Sequence, residues 1–146
     1  MRRLKVKRLT ETAKIPTKGS KYAAGLDLYA DLKNIIEIPP HETVLINTGI
    51  AVEIPTCMFG GVYARSGLAT KYSIAPINCV GIIDEDYRGE VKVALHNHSD
   101  KYRTIEPGDR IAQLIVQPYT SMVAREVKEL SNTERGANGF GSSGRK

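Results

Sequence analysis

A chain of 146 residues with 41% hydrophobic and 25% charged side chains suits one domain built on one core. No apolar run approaches the roughly 20 residues of a membrane-spanning helix, and the basic start Met1-Arg2-Arg3-Leu4-Lys5 lacks the apolar stretch of a signal peptide; the expectation is no membrane and, most simply, a cytoplasmic setting, with a nucleus or a virus-infected cell not excluded. A net charge of +5 suits nucleic acids and triphosphates alike, but two Phe and no Trp offer little for stacking single strands, so no stable nucleic-acid binding is expected.

In chain order, Leu4 and Val6 alternate with Lys5 and Lys7, the pattern of a short strand. The firmest period-two signal runs over residues 44–54, with Val44, Ile46, Ile50, Val52 and Ile54 on one face. Residues 67–72 are the one short-helix candidate, with Ser66 as its expected N-cap. Val91, Val93 and Leu95 then alternate with Lys92 and His96, and residues 111–116 read as a fully buried strand. Turn formers divide these segments at Pro39-Pro40, Pro55, Gly60-Gly61, Arg88-Gly89 and Pro107-Gly108-Asp109. Short strands with frequent turns predict an all-β sandwich, jelly roll or barrel.

Composition changes once, near Ser131. Residues 1–130 read as the folded domain. Residues 131–146 are rich in Gly, Ser and Asn, with Phe140 their only large apolar side chain, and cannot bury enough surface to order themselves. The expectation is an arm that orders on binding, or a plain disordered end. Cys57 and Cys79 lack C-x-x-C spacing and are expected to be free, buried thiols.

Several patterns bear on chemistry. Gly139-Phe140-Gly141-Ser142-Ser143-Gly144 matches G-x-G-x-x-G, but the chain ends two residues later, so no helix follows to make it a dinucleotide fingerprint. What remains is a donor-rich segment preceded by Arg135, able to wrap phosphates. Asp84-Glu85-Asp86-Tyr87-Arg88-Gly89-Glu90 follows the apolar Val80-Gly81-Ile82-Ile83; it reads as a solvated turn or as a carboxylate placed for general-base work. Arg65-Ser66-Gly67 reads as a helix cap or as an anion site. His96 and His98 share a face but lack further metal ligands beyond His41, so they read as surface histidines. Gly108-Asp109-Arg110 reads as a turn entering a strand.

Together these pieces resemble the trimeric dUTPase family, whose five motifs occur here in order. They are Ala24-Gly25-Leu26-Asp27-Leu28-Tyr29-Ala30, then Ala64-Arg65-Ser66-Gly67-Leu68-Ala69, then Asn78 through Gly89. The fourth is Gly108-Asp109-Arg110-Ile111-Ala112-Gln113-Leu114, and the fifth runs from Arg135 to Gly144. The resemblance implies a jelly-roll or distorted β-barrel subunit with one short helix and a flexible C-terminal arm. It implies a homotrimer whose active sites lie between subunits, each closed by the arm of a further subunit. It also implies Mg²⁺-assisted hydrolysis of dUTP to dUMP and pyrophosphate, which keeps uracil out of DNA and supplies the thymidylate precursor.

The resemblance also implies roles. Asp84 is the general base that activates a water against the α-phosphorus. Asp27 organises the water and metal network, the Mg²⁺ being held mainly by the triphosphate. Arg65, Ser66, Gly67 and Gln113 lie on the phosphate side. Tyr87 packs on the deoxyribose and leaves no space for a 2′-hydroxyl. Asn78 and the hairpin from Ile82 and Ile83 to Lys92 read the uracil edge. Arg135 contacts the γ-phosphate, and Phe140, followed by Gly141, stacks on the base. Ala64 stands where the family often has proline and Ser143 where it often has threonine. Rival readings are a deoxycytidine triphosphate deaminase of the same fold class, a basic all-β binding module without turnover, and a cupin-like metal enzyme on His96 and His98.

Overall fold

The computed structural model describes residues 3–139; Phe140, Gly141 and the remainder of the glycine-rich end lie outside the described residues. The described residues form eleven strands and one helix: β1 (Lys5–Arg8), β2 (Leu26–Tyr29), β3 (Ile36–Ile38), β4 (Thr43–Asn47), β5 (Ile50–Glu53), β6 (Met58–Tyr63), α1 (Ser66–Tyr72), β7 (Ile74–Pro76), β8 (Val80–Ile83), β9 (Lys92–Asn97), β10 (Arg103–Ile105) and β11 (Arg110–Pro118). All ladders are antiparallel. They form a four-stranded sheet ordered β2-β11-β6-β8, a three-stranded sheet ordered β4-β9-β7, and two ribbons, β1-β5 and β3-β10. This is the expected all-β jelly roll with one short helix. The ladders among the described residues remain separate sheets and do not close into a barrel.

Apolar side chains from each sheet meet in one core: Leu28 and Leu114 from the four-stranded sheet, Ile46, Ile74 and Leu95 from the three-stranded one, with Ile50, Ile38 and Ile105 from the ribbons. Leu28, Leu95 and Leu114 are fully buried. Truncating any of them to alanine costs about 2–5 kcal/mol, transfer and cavity terms combined.

The period-two segment 44–54 keeps its predicted buried face, with Ile46, Ile50, Val52 and Ile54 all inside. It is nevertheless two strands. The break falls at Gly49, whose φ of +64° belongs to the left-handed region and whose missing Cβ leaves room for the Asp31 carboxylate and for Ala13. The kink takes the chain from β9's side to β1's side. Polar bonds hold it there: Thr48 Oγ1 donates to the Val91 carbonyl, and the Gly49 amide donates to Glu90 Oε1 at 2.8 Å.

Other local expectations change. β11 is longer than the apolar run, and its outer half is not fully buried: Ile111, Ala112 and Leu114 are inside, whereas Ile115 and Val116 are half-buried. Ser66 is the first helical residue rather than the cap. The extended backbone of a cap belongs to Arg65 (φ −92°, ψ 128°), with no side-chain capping bond. Both cysteines are exposed, not buried. Each sits at positive φ, 61° for Cys57 and 60° for Cys79, so tight turns carry them outward. No helix among the described residues is long and apolar enough to cross a membrane.

Candidate active site

The site begins as a row across the four-stranded sheet. Register places Asp27 on β2 opposite Gln113 on β11, Gln113 opposite Tyr63 on β6, and Tyr63 opposite Val80 on β8. Two residues past Tyr63 the chain turns at Arg65 into α1. Gln113 Nε2 donates to the Ala64 carbonyl at 2.9 Å and braces that turn. A Cβ on Gly25 would lie 2.9 Å from Gln113 Oε1 and 3.2 Å from Gln113 Cβ, so a larger residue there would push the Gln113 side chain out of this place.

Asp27 is the charged centre of the row, only 8% exposed. Arg65 Nε donates to its Oδ1 at 3.0 Å, and Arg110 Nη1 donates to its Oδ2 at 3.3 Å. Arg65 Nη1 also donates to the Arg110 carbonyl at 3.1 Å. Two guanidiniums on one carboxylate leave an excess positive charge, fixed in place by that carboxylate. The adjoining cleft of about 180 Å³ also exposes Ser66 and Gly67. A Cβ on Gly67 would meet nothing within 4 Å, so packing does not require glycine there; the position stays open toward the cleft. Polar donors around an open, positively charged floor suit a phosphate chain.

Arg110 was not among the expected site residues. In a regular strand, residues three apart face opposite sides, which would place Arg110 and Gln113 on different faces. A bulge between Arg110 and Ala112 adds a residue against β2 and reverses that parity. The charge and its turn motif are legible in the sequence; the bulge that aims the side chain is not.

The second group of predicted residues surrounds the turn after β8. The Tyr87 amide donates to the Asp84 carbonyl at 3.2 Å and closes the turn, leaving the Asp84 carboxylate exposed. Tyr87 Oη donates to the Glu90 carbonyl at 3.0 Å. A Cβ on Gly89 would collide with the Tyr87 ring, so this glycine permits the ring's placement. Arg88 Nη1 donates to the Glu85 carbonyl at 2.6 Å, and Glu85 Oε2 accepts from the Cys57 amide at 2.6 Å, tying the turn to the start of β6. The positive φ at Cys79 folds Asn78 beside this region, its carbonyl accepting from the Val80 amide at 2.6 Å. Ile82 is exposed, Ile83 is half-buried, and Lys92 Nζ lies 3.6 Å from Glu90 Oε2.

Asp84 to Asp86, Phe59, Ile82 and Tyr119 border a cleft of about 580 Å³. Its negative field pushes the Tyr119 phenol pKa upward, Glu85 contributing most, then burial, with Cys57, Asp84 and Asp86 adding to it. The expected hairpin across 82–92 takes a different form: β8 pairs with β6 and β9 with β4 and β7, so the segment crosses between sheets.

These two groups do not meet within one chain. Asp84 follows Ile83, which pairs with Gly60, whereas Arg65 lies beyond Tyr63 at the other end of β6. Six residues of extended chain, from the level of Phe59 to Arg65, separate their backbones by up to about 20 Å. Arg135 is exposed and, among the described residues, bonds locally, Nε donating to the Asn138 carbonyl at 2.8 Å. His96 and His98 stand with ring centroids 4.4 Å apart, His96 Nδ1 bonding Thr43 Oγ1 at 2.9 Å. Among the described residues no group of three His, Cys, Asp or Glu is arranged to hold a metal. Both Asp27 oxygens already accept from guanidiniums, so Asp27 would meet a Mg²⁺ through water, which fits a cation that keeps much of its water and binds chiefly to phosphates.

The chain matches the family model described as dUTPase over residues 11–144. It is 49% identical over 144 residues to the deoxyuridine 5′-triphosphate nucleotidohydrolase of Clostridioides difficile, covering 99% of each chain. Its fold is similar to Staphylococcus bacteriophage 80alpha dUTPase with dUPNHPP, at a TM-score of 0.88 and 30% identity over 99% of both chains. A mutant dUTPase from phage phi11 of S. aureus, solved to describe the coordination of a structural Mg(II) ion, has a TM-score of 0.80 over 90% of this chain and 100% of its own; at 24% identity the likeness is one of fold.

Proposed function

The chain belongs to the dUTPase family, and we propose on that premise that it hydrolyses dUTP to dUMP and pyrophosphate at sites shared between the subunits of a homotrimer. The carrying observation is the division of the predicted residues into two groups up to about 20 Å apart along one stretch of extended chain. Neither group suffices alone: one has the cations for a phosphate chain and the other the exposed carboxylate. A second copy placing its Asp84 turn against the Asp27–Arg65–Arg110 cleft completes the set.

In that arrangement Arg65, Arg110, Ser66, Gly67 and Gln113 hold the phosphates, and Asp27 keeps both guanidiniums in register. The partner copy brings the rest. Its Asp84 carboxylate takes a proton from a water as that water attacks the α-phosphorus, and pyrophosphate leaves. Its Tyr87 ring, held by the Glu90 carbonyl and allowed by Gly89, covers the deoxyribose face where a 2′-hydroxyl would sit. Its backbone near Asn78 and from Ile82 to Lys92 reads the uracil edge; a cytosine there leaves a donor facing a donor, and a thymine methyl clashes. Mg²⁺, when bound with the nucleotide, neutralises phosphate charge and so eases ionisation of the base. Arg135, Phe140 and Gly141 belong to an arm, residues 131–146, that closes over the γ-phosphate and the base. The reaction limits uracil incorporation into DNA and supplies dUMP for thymidylate synthesis.

Pyrophosphate release measured with dUTP, UTP, dCTP and dTTP in the presence of Mg²⁺ tests this reading. dUTP is expected to be turned over far faster than the other three. Equal turnover of all four would overturn the assignment.

A further inference from the structure

Beside the phosphate cleft lies a larger one, of about 530 Å³, which shares Arg65 and Arg110 with it. Two tyrosines line it. Tyr72 ends α1 and Tyr102 precedes β10, and they are 49% and 64% exposed. Arg103 holds its guanidinium 5.8 Å from the Tyr72 ring centroid and donates from Nε to Ser99 Oγ at 3.2 Å. Leu68 adds apolar surface; Arg65 and Arg110 are engaged with Asp27, so Arg103 is the guanidinium that stands beside the rings, with Glu106 and Asp109 also on the cleft. Two exposed phenols beside an arginine, one arginine-lined step from a phosphate site, form a surface on which a flat base stacks. Hydrolysis of dUTP as derived above uses none of Tyr72, Tyr102 or Arg103.

We infer that this cleft receives the base of a second nucleoside esterified to the terminal phosphate, so that a dinucleoside triphosphate with deoxyuridine at one end is both a ligand and a substrate. The inference rests on the proposed function of the adjoining cleft. Water forms a bond to the phosphorus on the deoxyuridine side, Asp84 takes its proton, and the bond from that phosphorus to the next bridging oxygen breaks. The products are dUMP and a nucleoside diphosphate, which leaves in place of pyrophosphate with its electron pair on oxygen. No redox partner is required.

The full-length protein is assayed with dUTP, with its γ-methyl ester, and with dUTP esterified through the γ-phosphate to adenosine, dUMP and ADP being separated chromatographically. The adenosine ester is expected to show a KM about tenfold below that of the methyl ester at similar kcat, the gain of one stacked base. Tyr72→Leu combined with Tyr102→Leu should remove that gain while leaving the KM for dUTP within about twofold of wild type, since those exposed rings touch nothing in the phosphate cleft. Arg103→Gln, which keeps both rings, should reduce the gain in part. Equal KM for the two esters in the wild type, or a gain that survives in the double variant, overturns the inference. Absence of dUTP turnover overturns the proposed function, and the inference falls with it.

Discussion

Replacing Arg110 with glutamine probes the part of the site that the bulge in β11 creates. Asp27 is held by two guanidiniums, and its side chain is 11% exposed against 25% for Arg65 and 50% for Arg110. Loss of Arg110 leaves Asp27 paired with Arg65, so no uncompensated buried charge results and the fold should persist. The excess positive charge of the cleft, however, is gone. At about 7 Å from a phosphate, with an effective dielectric of about 40 for a half-exposed group, one unit charge contributes about 1.2 kcal/mol. The KM for dUTP should therefore rise about sevenfold, at about 1.4 kcal/mol per decade. Steady-state kinetics at low and high ionic strength is the assay. The gap between variant and wild type should narrow at high salt, because the screening length falls from about 10 Å at 0.1 M to about 3 Å at 1 M, shorter than the separation assumed. An unchanged KM at low salt would refute the assignment of Arg110 to the phosphate cleft.

Asp84→Asn should lower kcat by at least about a hundredfold while a non-hydrolysable dUTP analogue still binds, as measured by single-turnover kinetics and calorimetry; a normal kcat would remove Asp84 as the base. Gly89→Ala should displace the Tyr87 ring and narrow the preference for dUTP over UTP, read from the ratio of kcat/KM values, with little change in Tm. Truncation after Leu130 should leave the melting transition in place and cripple turnover; loss of the transition would make the arm core structure. The Lys5–Glu53 pair supplies a pH test. Lys5, by hydrogen bond and then by charge, lowers the Glu53 pKa below its ordinary 4.5. Its contribution is thus present above the unfolded value and lost as pH falls through the folded one. Glu53→Gln should lower Tm slightly at neutral pH in low salt and match wild type in acid.

Elements whose residues alternate against a single covered face were legible. The inward residues of 44–54 and of β9 follow directly from period two, because a strand with one buried face writes its register into the chain. What escaped were departures from that regularity. The left-handed turn at Gly49 splits one period-two segment between two sheets without disturbing which residues point inward, so the alternation carries no sign of it. The bulge in β11 reverses parity and moves Arg110 into the cleft. Ser66 has the chemistry of a cap, yet backbone angles assign that position to Arg65. Cys57 and Cys79 are small and apolar enough to be buried, but turns at positive φ place them outside. The motifs name Arg65, Ser66, Gly67 and Gln113 as one group, while the distance separating them from Asp84 emerges only from the β6–β8 register.

That distance is the core of the account, and subunit mixing tests it most directly. Asp84→Asn and Arg65→Gln variants, each inactive alone, are co-refolded and assayed for pyrophosphate release from dUTP. If each site takes Asp84 from one chain and Arg65 from another, some mixed sites carry both native residues, and the mixture regains turnover that neither parent has. A mixture no more active than its separate parents, with exchange of chains verified by mass, would place the whole site within one chain and contradict the account.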